Sequence, residues 1–447
     1  MGKRTRRKRL PEPVSDVSIE SLTHDGRGVA HMDGKAVFID GALPGEVVSF
    51  EYLATRRKFD EGRVTGLQQT SPDRVEPKCL HFWLCGGCSL QHMEPGAQIL
   101  AKQQVLLDNL RHIGKTEPGE VLPPLTGQAW GYRTKARLGA KNVIKKGRVL
   151  VGFREKRSPY VADISRCEVL HPSVGTRLHE LTELIEQLDA KSRIPQIEVA
   201  VAESVTALVF RHLDPLSTPD LDRLKQFATD TDIHVYLQAG GPESVLPFWP
   251  EQSILSYHIP MQDPAQNIEI QYRPTDFTQI NTAINEKMVV RVLDMLELDK
   301  QDKVLDLFCG LGNFTLPMAR LAGEVVGVEG EAGLVARARD NASLNGIENA
   351  SFYTANLEEQ TTEAAWAGIG YNKVLLDPPR SGAAGVMDSL GNIRPQRIVY
   401  VSCHPGSLAR DAGTLVNEKG YRLVSAGVMD MFPHTAHVES IALFEAN

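Results

Sequence analysis

Cys403 ends the short apolar run RIVYVS and is followed by His404, Pro405 and Gly406. That pattern places a thiol at the carboxyl end of a buried strand, on a turn. A lone cysteine is more often a small buried hydrophobe than a catalyst, and Cys309, inside VLDLFCG, is read that way. Cys403 has different company. The loop Asp377-Pro378-Pro379-Arg380 precedes it, and Glu439 opens the last apolar stretch, VESIALF. A thiolate and a carboxylate together suit chemistry in which sulfur adds to an electron-poor carbon and a base later removes a proton. The thiol must be partly ionised, which a nearby cation favours; Arg380 and His404 are the candidates. His434 and His437 are alternative bases.

A second constellation lies upstream. The run Val304–Ala319, VLDLFCGLGNFTLPMA, reads as a buried strand, a tight turn at Gly310 and Gly312, and a helix starting near Phe314. Glycines there admit a ligand close to the backbone. The next strand, EVVGVEG, ends at Glu329, where doubly wound folds hydrogen-bond a ribose. Asn356 and Asp377 fall at two further strand ends. Dinucleotide enzymes share this layout, but the third glycine of their G-x-G-x-x-G fingerprint is absent. The opening D-x-F-x-G-x-G resembles the S-adenosylmethionine-dependent methyltransferases, which have no pyrophosphate to cradle. Methyl transfer to C5 of a uracil then explains the thiol. Addition to C6 makes C5 nucleophilic, and removal of the C5 proton lets the thiol leave.

Four more cysteines, Cys79, Cys85, Cys88 and Cys167, begin with the spacing C-x5-C-x2-C. Four thiolates can hold an iron–sulfur cluster or a tetrahedral zinc ion, and ligand chemistry alone leaves both open. The spacing differs from the C-x3-C-x2-C triplet of radical enzymes.

These residues need elements to position them. Residues 14–67 read as about five short strands with glycine turns, as in a small closed barrel. An amphipathic helix is expected over about Gly96 to Arg111, then a mixed region to Tyr272. From Pro274 onward, apolar strands alternate with helical stretches, the signature of a parallel sheet covered on both faces. The fold class is therefore multidomain α/β. A basic tail (1–11) precedes an OB-like β-barrel (12–70), a central α+β domain carrying the cysteines (71–273) and a doubly wound, Rossmann-like catalytic domain (274–447).

Net charge is −7 over 447 residues, which by itself argues against a nucleic-acid partner. The distribution argues for one: Lys3, Arg4, Arg6, Arg7, Lys8 and Arg9 form the tail. Between Gly131 and Arg157 stand ten Lys or Arg and one acid, Glu155, interleaved with Tyr132, Phe153 and Tyr160. Local positive fields bind phosphates whatever the total charge, and the rings can stack on bases. No apolar run approaches the roughly 18 residues of a membrane span, and the amino terminus lacks a signal-peptide core. A cytoplasmic monomer is expected.

The barrel resembles the TRAM domain, a small RNA-binding module. In order, type and spacing, DPPR, YVSCHP and HTAHVES resemble the RNA uracil-C5 methyltransferases. That resemblance implies Cys403 as nucleophile and Glu439 as proton acceptor. It implies S-adenosylmethionine contacts from Gln279, Phe308, Asn313, Glu329, Asn356 and Asp377. Members with a barrel and this cysteine spacing imply a [4Fe-4S] cluster on Cys79, Cys85, Cys88 and Cys167, and 23S ribosomal RNA as substrate. The transfer-RNA branch is the nearest alternative, expected to be shorter and without barrel or cysteines. Another ribosomal uracil is a second alternative, and a non-catalytic RNA-binding protein is the rival from a different class.

Overall fold

The structure is a computed structural model that describes residues 10–358, 366 and 370–447. The basic run Lys3 to Arg9 lies outside the described residues. The chain divides into two compact units. The first comprises residues 1–82, 87–102 and 433–437, the second residues 83–86, 103–432 and 438–447.

In the first unit, six strands rather than five form one sheet. Their order is Val14–Ser18, Val47–Thr55, Phe59–Gln69, Lys35–Asp40, Gly28–Met32, Ser21–Leu22. The extra strand is the two-residue Ser21–Leu22, too short to show as an apolar pattern. Alternating residues Val17, Ala30, Val37, Ile39, Val48 and Phe50 face inward and make the core, as the period of two requires. Beyond the sheet, the carboxylate of Glu46, 0 % exposed, accepts hydrogen bonds from Leu43 N (2.8 Å), Ser71 N (3.2 Å) and Arg74 Nε (2.5 Å).

The second unit contains two large sheets and a two-stranded hairpin, which contribute to a shared core. The first has six strands in the order Val245–Trp249, Ile233–Gln238, Thr206–Arg211, Gln196–Val201, Lys135–Val143, Arg148–Gly152. Helices Leu178–Gln187 and Thr218–Thr231 pack on it through Leu181, Ile185, Leu224 and Ala228. The hairpin Leu255–Ile259 and Ile268–Tyr272 buries Tyr257, Ile259, Ile268 and Ile270 in the same core as Ile284, Val304 and Val325.

The other sheet has eight strands. Five run parallel: Ala350–Thr354, Glu324–Glu329, Lys303–Leu307, Lys373–Leu376 and Arg397–Ser402. Next comes Glu439–Ala446, antiparallel to both its neighbours, then Tyr421–Met429 and the short Glu120–Val121. Strand order reverses between Lys303–Leu307 and Lys373–Leu376. A doubly wound sheet opens its ligand crevice at that reversal, beyond the carboxyl ends of the strands. Among the described residues no helix is long and apolar enough to cross a membrane.

Candidate active site

The two strands at the reversal deliver the first residues. Strand Lys303–Leu307 runs into Phe308, which adopts φ +70°, and then Gly310 at +55° and Gly312 at +92°. The left-handed region costs an ordinary side chain strain and costs glycine little. The chain therefore turns back at once, and Phe308 N and Cys309 N both donate to Val328 O (2.9 and 3.1 Å). Glu329 closes the turn from the next strand: one carboxylate oxygen accepts from Gly310 N (3.1 Å), the other from Gly330 N (2.7 Å) and Glu331 N (3.1 Å). Cys309 is 4 % exposed and packed beneath this turn, and burial raises its pKa well above the ordinary thiol value. It is the packing residue its sequence suggests.

Across the reversal, Asp377 follows the strand Lys373–Leu376 directly and its backbone N donates to Leu307 O (3.3 Å). The crevice is therefore walled by carboxyls. Burial, with Glu329 nearby, pushes Asp377 up to about 7. Burial, with Asp377 and Glu329 nearby, pushes Asp306 up to about 8, although Thr315 Oγ1 donates to it at 2.5 Å. The second oxygen of Asp306 is buried and has no hydrogen-bond partner. A wall of crowded carboxyls short of positive charge fits a cationic ligand. S-adenosylmethionine, with its sulphonium and ammonium, is one.

Asn313 lies at the start of the helix Thr315–Leu321. Its Nδ2 donates to Asn285 Oδ1 (3.0 Å). Its Oδ1 accepts from Asn285 Nδ2 (2.9 Å) and from the buried Tyr257 hydroxyl (2.9 Å). Tyr257 and Asn285 also line a cleft of about 280 Å³ together with Gln279, Thr278, Thr282, Tyr272 and Glu203. Gln279 and Asn313 are thus brought to one neighbourhood. Asn356, exposed, lies two residues beyond the strand Ala350–Thr354, and its Oδ1 accepts from Glu358 N (3.1 Å). Neither Tyr257 nor Asn285 was singled out from the sequence. Asn285 left one signal, a polar side chain on the apolar face of the helix Thr282–Leu296; Tyr257 left none.

Cys403 follows the strand Arg397–Ser402, and Glu439 opens the strand paired to it. The register sets Val401 against Ile441 and Ser402 against Ser440. The ladder ends there, and Cys403 and Glu439 are the next residues, at the adjoining ends of the two paired strands. Ser440 Oγ donates to Ser402 O (3.1 Å) and fastens the pair of strands just behind them. Glu439 is 3 % exposed. Burial, with Asp377 nearby, holds its proton well above the usual carboxylate range. Cys403 is half-buried; burial, then Glu439 and Asp377, push its thiol up to about 11, and Arg380 acts in the opposite direction. His404 Nδ1 accepts from Ser407 N (3.1 Å) and caps the helix Pro405–Asn417. In the first unit, His434 is buried and joined to Gln98, whose Oε1 accepts from His434 N (2.8 Å).

Part of the basic cluster is engaged in ion pairs within the chain. Arg137 pairs with Glu198 (2.9 Å), and Lys146 and Arg148 pair with Asp163. Burial lowers Lys135 to about 8. Lys141, Lys145 and Arg154 are exposed.

Cys79 and Cys88 fall in the first unit and Cys85 and Cys167 in the second; all four are half-buried. Among the described residues, no group of three or more His, Cys, Asp or Glu is gathered as a metal requires.

Fold and crevice define an S-adenosylmethionine-dependent methyltransferase with a thiol and a carboxyl at adjoining strand ends. The tRNA (uracil-5-)-methyltransferase family matches residues 174–447 and the TRAM domain residues 13–65, and the chain belongs to that methyltransferase family. It is 56 % identical over 447 residues to a 23S rRNA (uracil(1939)-C(5))-methyltransferase, RlmD, of Nitrosococcus oceani, covering 100 % of this chain and 99 % of the relative. The RlmD of Methylococcus capsulatus is 54 % identical, covering 100 % of both chains. Among solved structures, the Pyrococcus abyssi tRNA (uracil-54, C5)-methyltransferase bound to S-adenosyl-L-homocysteine aligns with TM-score 0.73 and 25 % identity, covering 96 % of this chain and 100 % of that one. A transfer-RNA enzyme can therefore match nearly the whole chain, so length does not separate the two branches as the sequence suggested. Full-length identity does.

Proposed function

We infer that this protein methylates C5 of a uridine in 23S ribosomal RNA, at the position equivalent to that named for its relatives. The observation that carries the reaction is the pairing of the strand that ends at Ser402 with the strand that opens at Glu439, which brings Cys403 and Glu439 to one sheet end, with Asp377 acting on both. The identity over the full chain carries the substrate. S-adenosylmethionine supplies an electrophilic methyl group. Gln279, Phe308, Asn313, Glu329, Asn356 and Asp377 are the residues that hold it. Glu329 and the Asn313 amide present polar atoms on either side of the glycine turn, and Asp377 faces the cationic end.

The target uracil leaves its stack to reach a strand-end thiol. Cys403, as thiolate, adds to C6, and the electron pair displaced towards C5 makes that carbon the nucleophile. After C5 carries the methyl group, Glu439 takes its proton and the C6–S bond breaks, returning the thiolate. A carboxyl that holds protons tightly in its buried site is a strong base once ionised. Exposed Lys141, Lys145 and Arg154, with the barrel, hold surrounding phosphates.

The four cysteines are proposed as ligands of a [4Fe-4S] cluster. Four thiolates suit either a cluster or zinc; the resemblance to barrel-bearing relatives with this cysteine spacing supports the cluster, and no step of the methyl transfer is drawn from it. Purification without oxygen should yield iron and acid-labile sulfide in equal amounts; a colourless protein with one zinc per chain rejects the cluster.

Incubation with tritiated S-adenosylmethionine and unmodified 23S or transfer RNA, followed by mapping of the label, tests the function. Label at C5 of one 23S uridine is expected. Label confined to transfer RNA would move the chain to the other branch.

A further inference from the structure

One face of the helix Ala332–Leu344, with its cap Asn345, stitches down a neighbouring piece of chain at four-residue intervals. Asn345 Oδ1 accepts from Glu269 N (2.8 Å) and its Nδ2 donates to Glu269 O (2.7 Å). Asn341 Oδ1 accepts from Gln271 N (2.9 Å) and its Nδ2 donates to Gln271 O (3.2 Å). The two amides do for the strand Ile268–Tyr272 what a neighbouring strand would. One turn nearer the start of the helix, Arg337 Nη2 donates to Asp276 Oδ1 (2.7 Å), the two side chains being 17 % and 6 % exposed. Residues four apart lie on one helix face, so the ion pair is the third stitch of a row. It differs from the first two in being charged and in lying past the end of the strand, in the segment Arg273 to Asn281.

That segment is held on both sides of Gln279. Asp276 Oδ2 accepts from Arg273 N (2.7 Å) and Asp276 N donates to Arg273 O (2.9 Å), which closes a turn. Lys135 Nζ donates to Asp276 O. At the far end, Thr134 N and Thr134 Oγ1 both donate to Ile280 O (2.9 and 3.1 Å). Gln279 lies between these anchors and lines the cleft of Tyr257 and Asn285, the two residues that hold Asn313. Among the described residues no hydrogen bond holds the Gln279 amide, so its reach into the cleft is set by the backbone on either side. The stitching helix begins three residues after Glu329, whose carboxylate closes the glycine turn. Glu329 stands where such folds bind ribose, and Gln279 lies with Asn313 on the other side of that turn. We propose that Asp276 is a positioning residue for the cofactor: latched to Arg337, it fixes the segment that carries Gln279 and sets the Gln279 amide against the amino-acid end of S-adenosylmethionine. The latch rests on the reading of Gln279 as a cofactor contact, and it can be measured without RNA or methyl transfer.

Two ligands separate the ends of the cofactor. S-adenosylhomocysteine carries the amino-acid chain; 5′-methylthioadenosine keeps the adenosine and the thioether and lacks that chain. Calorimetric titration of the full chain with each compares wild type, Asp276→Asn, Gln279→Ala and the double variant. Asp276→Asn keeps the shape and the acceptor for Arg273 N, and removes the charge that Arg337 meets. Gln279→Ala should weaken S-adenosylhomocysteine about three- to tenfold, as the loss of one hydrogen bond does, and leave methylthioadenosine unchanged. Asp276→Asn should weaken the same ligand by no more than that, again sparing methylthioadenosine. The double variant should match Gln279→Ala alone, because Asp276 acts through Gln279. From the other side of the pair, Arg337→Gln should reproduce Asp276→Asn, and Arg337→Lys, which keeps the charge, should recover most of the affinity. If Asp276→Asn does not fold, Arg337→Gln takes its place in the same cycle. Additive losses in the double variant, equal loss of both ligands in a folded variant of the pair, or wild-type binding by Asp276→Asn while Gln279→Ala is weakened would each overturn the latch alone. Wild-type binding of S-adenosylhomocysteine by Gln279→Ala would overturn the reading of Gln279 itself, and the latch with it.

Discussion

Asn313 and Asn285 exchange a reciprocal pair of side-chain hydrogen bonds, 3.0 Å one way and 2.9 Å the other. The Tyr257 hydroxyl adds a third bond to Asn313 Oδ1 at 2.9 Å. With Oδ1 taken twice and one N–H given to Asn285, one N–H of the Asn313 amide is left to donate to a ligand acceptor. The orientation of the Asn313 amide, proposed to bind the cofactor, is thereby set by residues from a hairpin and a helix far away in sequence. Burial raises the Tyr257 hydroxyl well above the ordinary tyrosine value, so it stays protonated and donates at all ordinary pH.

Tyr257→Phe keeps the ring and removes only that donor. A single hydrogen bond is worth about 0.5–1.5 kcal/mol. The KM for S-adenosylmethionine should therefore rise roughly three- to tenfold, with kcat and RNA affinity little changed. A fall in kcat at unchanged KM would show that Asn313 meets the reacting atoms instead.

The adjoining positions of Cys403 and Glu439 separate two variants. Cys403→Ala should abolish methyl transfer while S-adenosylhomocysteine binds as in wild type. Glu439→Gln should slow turnover by about 10²–10⁴-fold, the usual worth of a general base. It should also accumulate protein bound covalently to methylated RNA, because addition still proceeds and elimination does not. Denaturing gel electrophoresis with labelled RNA reads this directly. A slow Glu439→Gln enzyme without such a band would place the proton acceptor elsewhere.

The catalytic half was legible because its functional residues sit at strand ends, and each strand end carries its own local signal. Gly310, Gly312, Glu329, Asp377 and Cys403 all follow short apolar runs. What could not be read is pairing. That Cys403 adjoins Glu439 depends on the last strand inserting antiparallel beside Arg397–Ser402, an arrangement no spacing reveals. Asn285, Tyr257 and Asp276 look like ordinary polar residues until tertiary contacts close around them. Charge pairing is hidden from the sequence in the same way. Glu198 and Asp163 lie outside the basic window in sequence, yet they form ion pairs with Arg137, Lys146 and Arg148 in space.

In the first unit, Glu46 is a stability prediction of its own. Burial alone would raise its carboxyl, but hydrogen bonds from Arg74, Leu43 and Ser71 more than offset that and hold it below 4.5. A depressed folded value means stability that is present above the ordinary value and is lost as pH falls through the folded one. Glu46→Ala strands Arg74 and two backbone donors, and should cost about 3 kcal/mol in urea unfolding at pH 7. The cost should shrink in strong acid. An unfolding midpoint equal to wild type at neutral pH would show that the network contributes nothing.

The crowded carboxyls predict the opposite pH sign for the cofactor crevice. Asp377 is raised to about 7 and Asp306 to about 8, against an ordinary 3.8. The ligand-free folded chain therefore holds protons that the unfolded chain has released. Its stability from these groups is full below 3.8 and is lost as pH rises towards about 8. A cationic cofactor favours the ionised carboxylates, so binding expels those protons. Affinity for S-adenosylmethionine should then climb with pH, by about tenfold for each proton released per pH step, and level off above the raised values. Calorimetry in buffers of different ionisation enthalpy between pH 6 and 9 counts the protons directly. S-adenosylhomocysteine lacks the sulphonium charge and should show a shallower rise. An affinity that is flat or falls between pH 6 and 8 would mean that Asp306 and Asp377 keep their protons in the complex, and the electrostatic account of the crevice would fail.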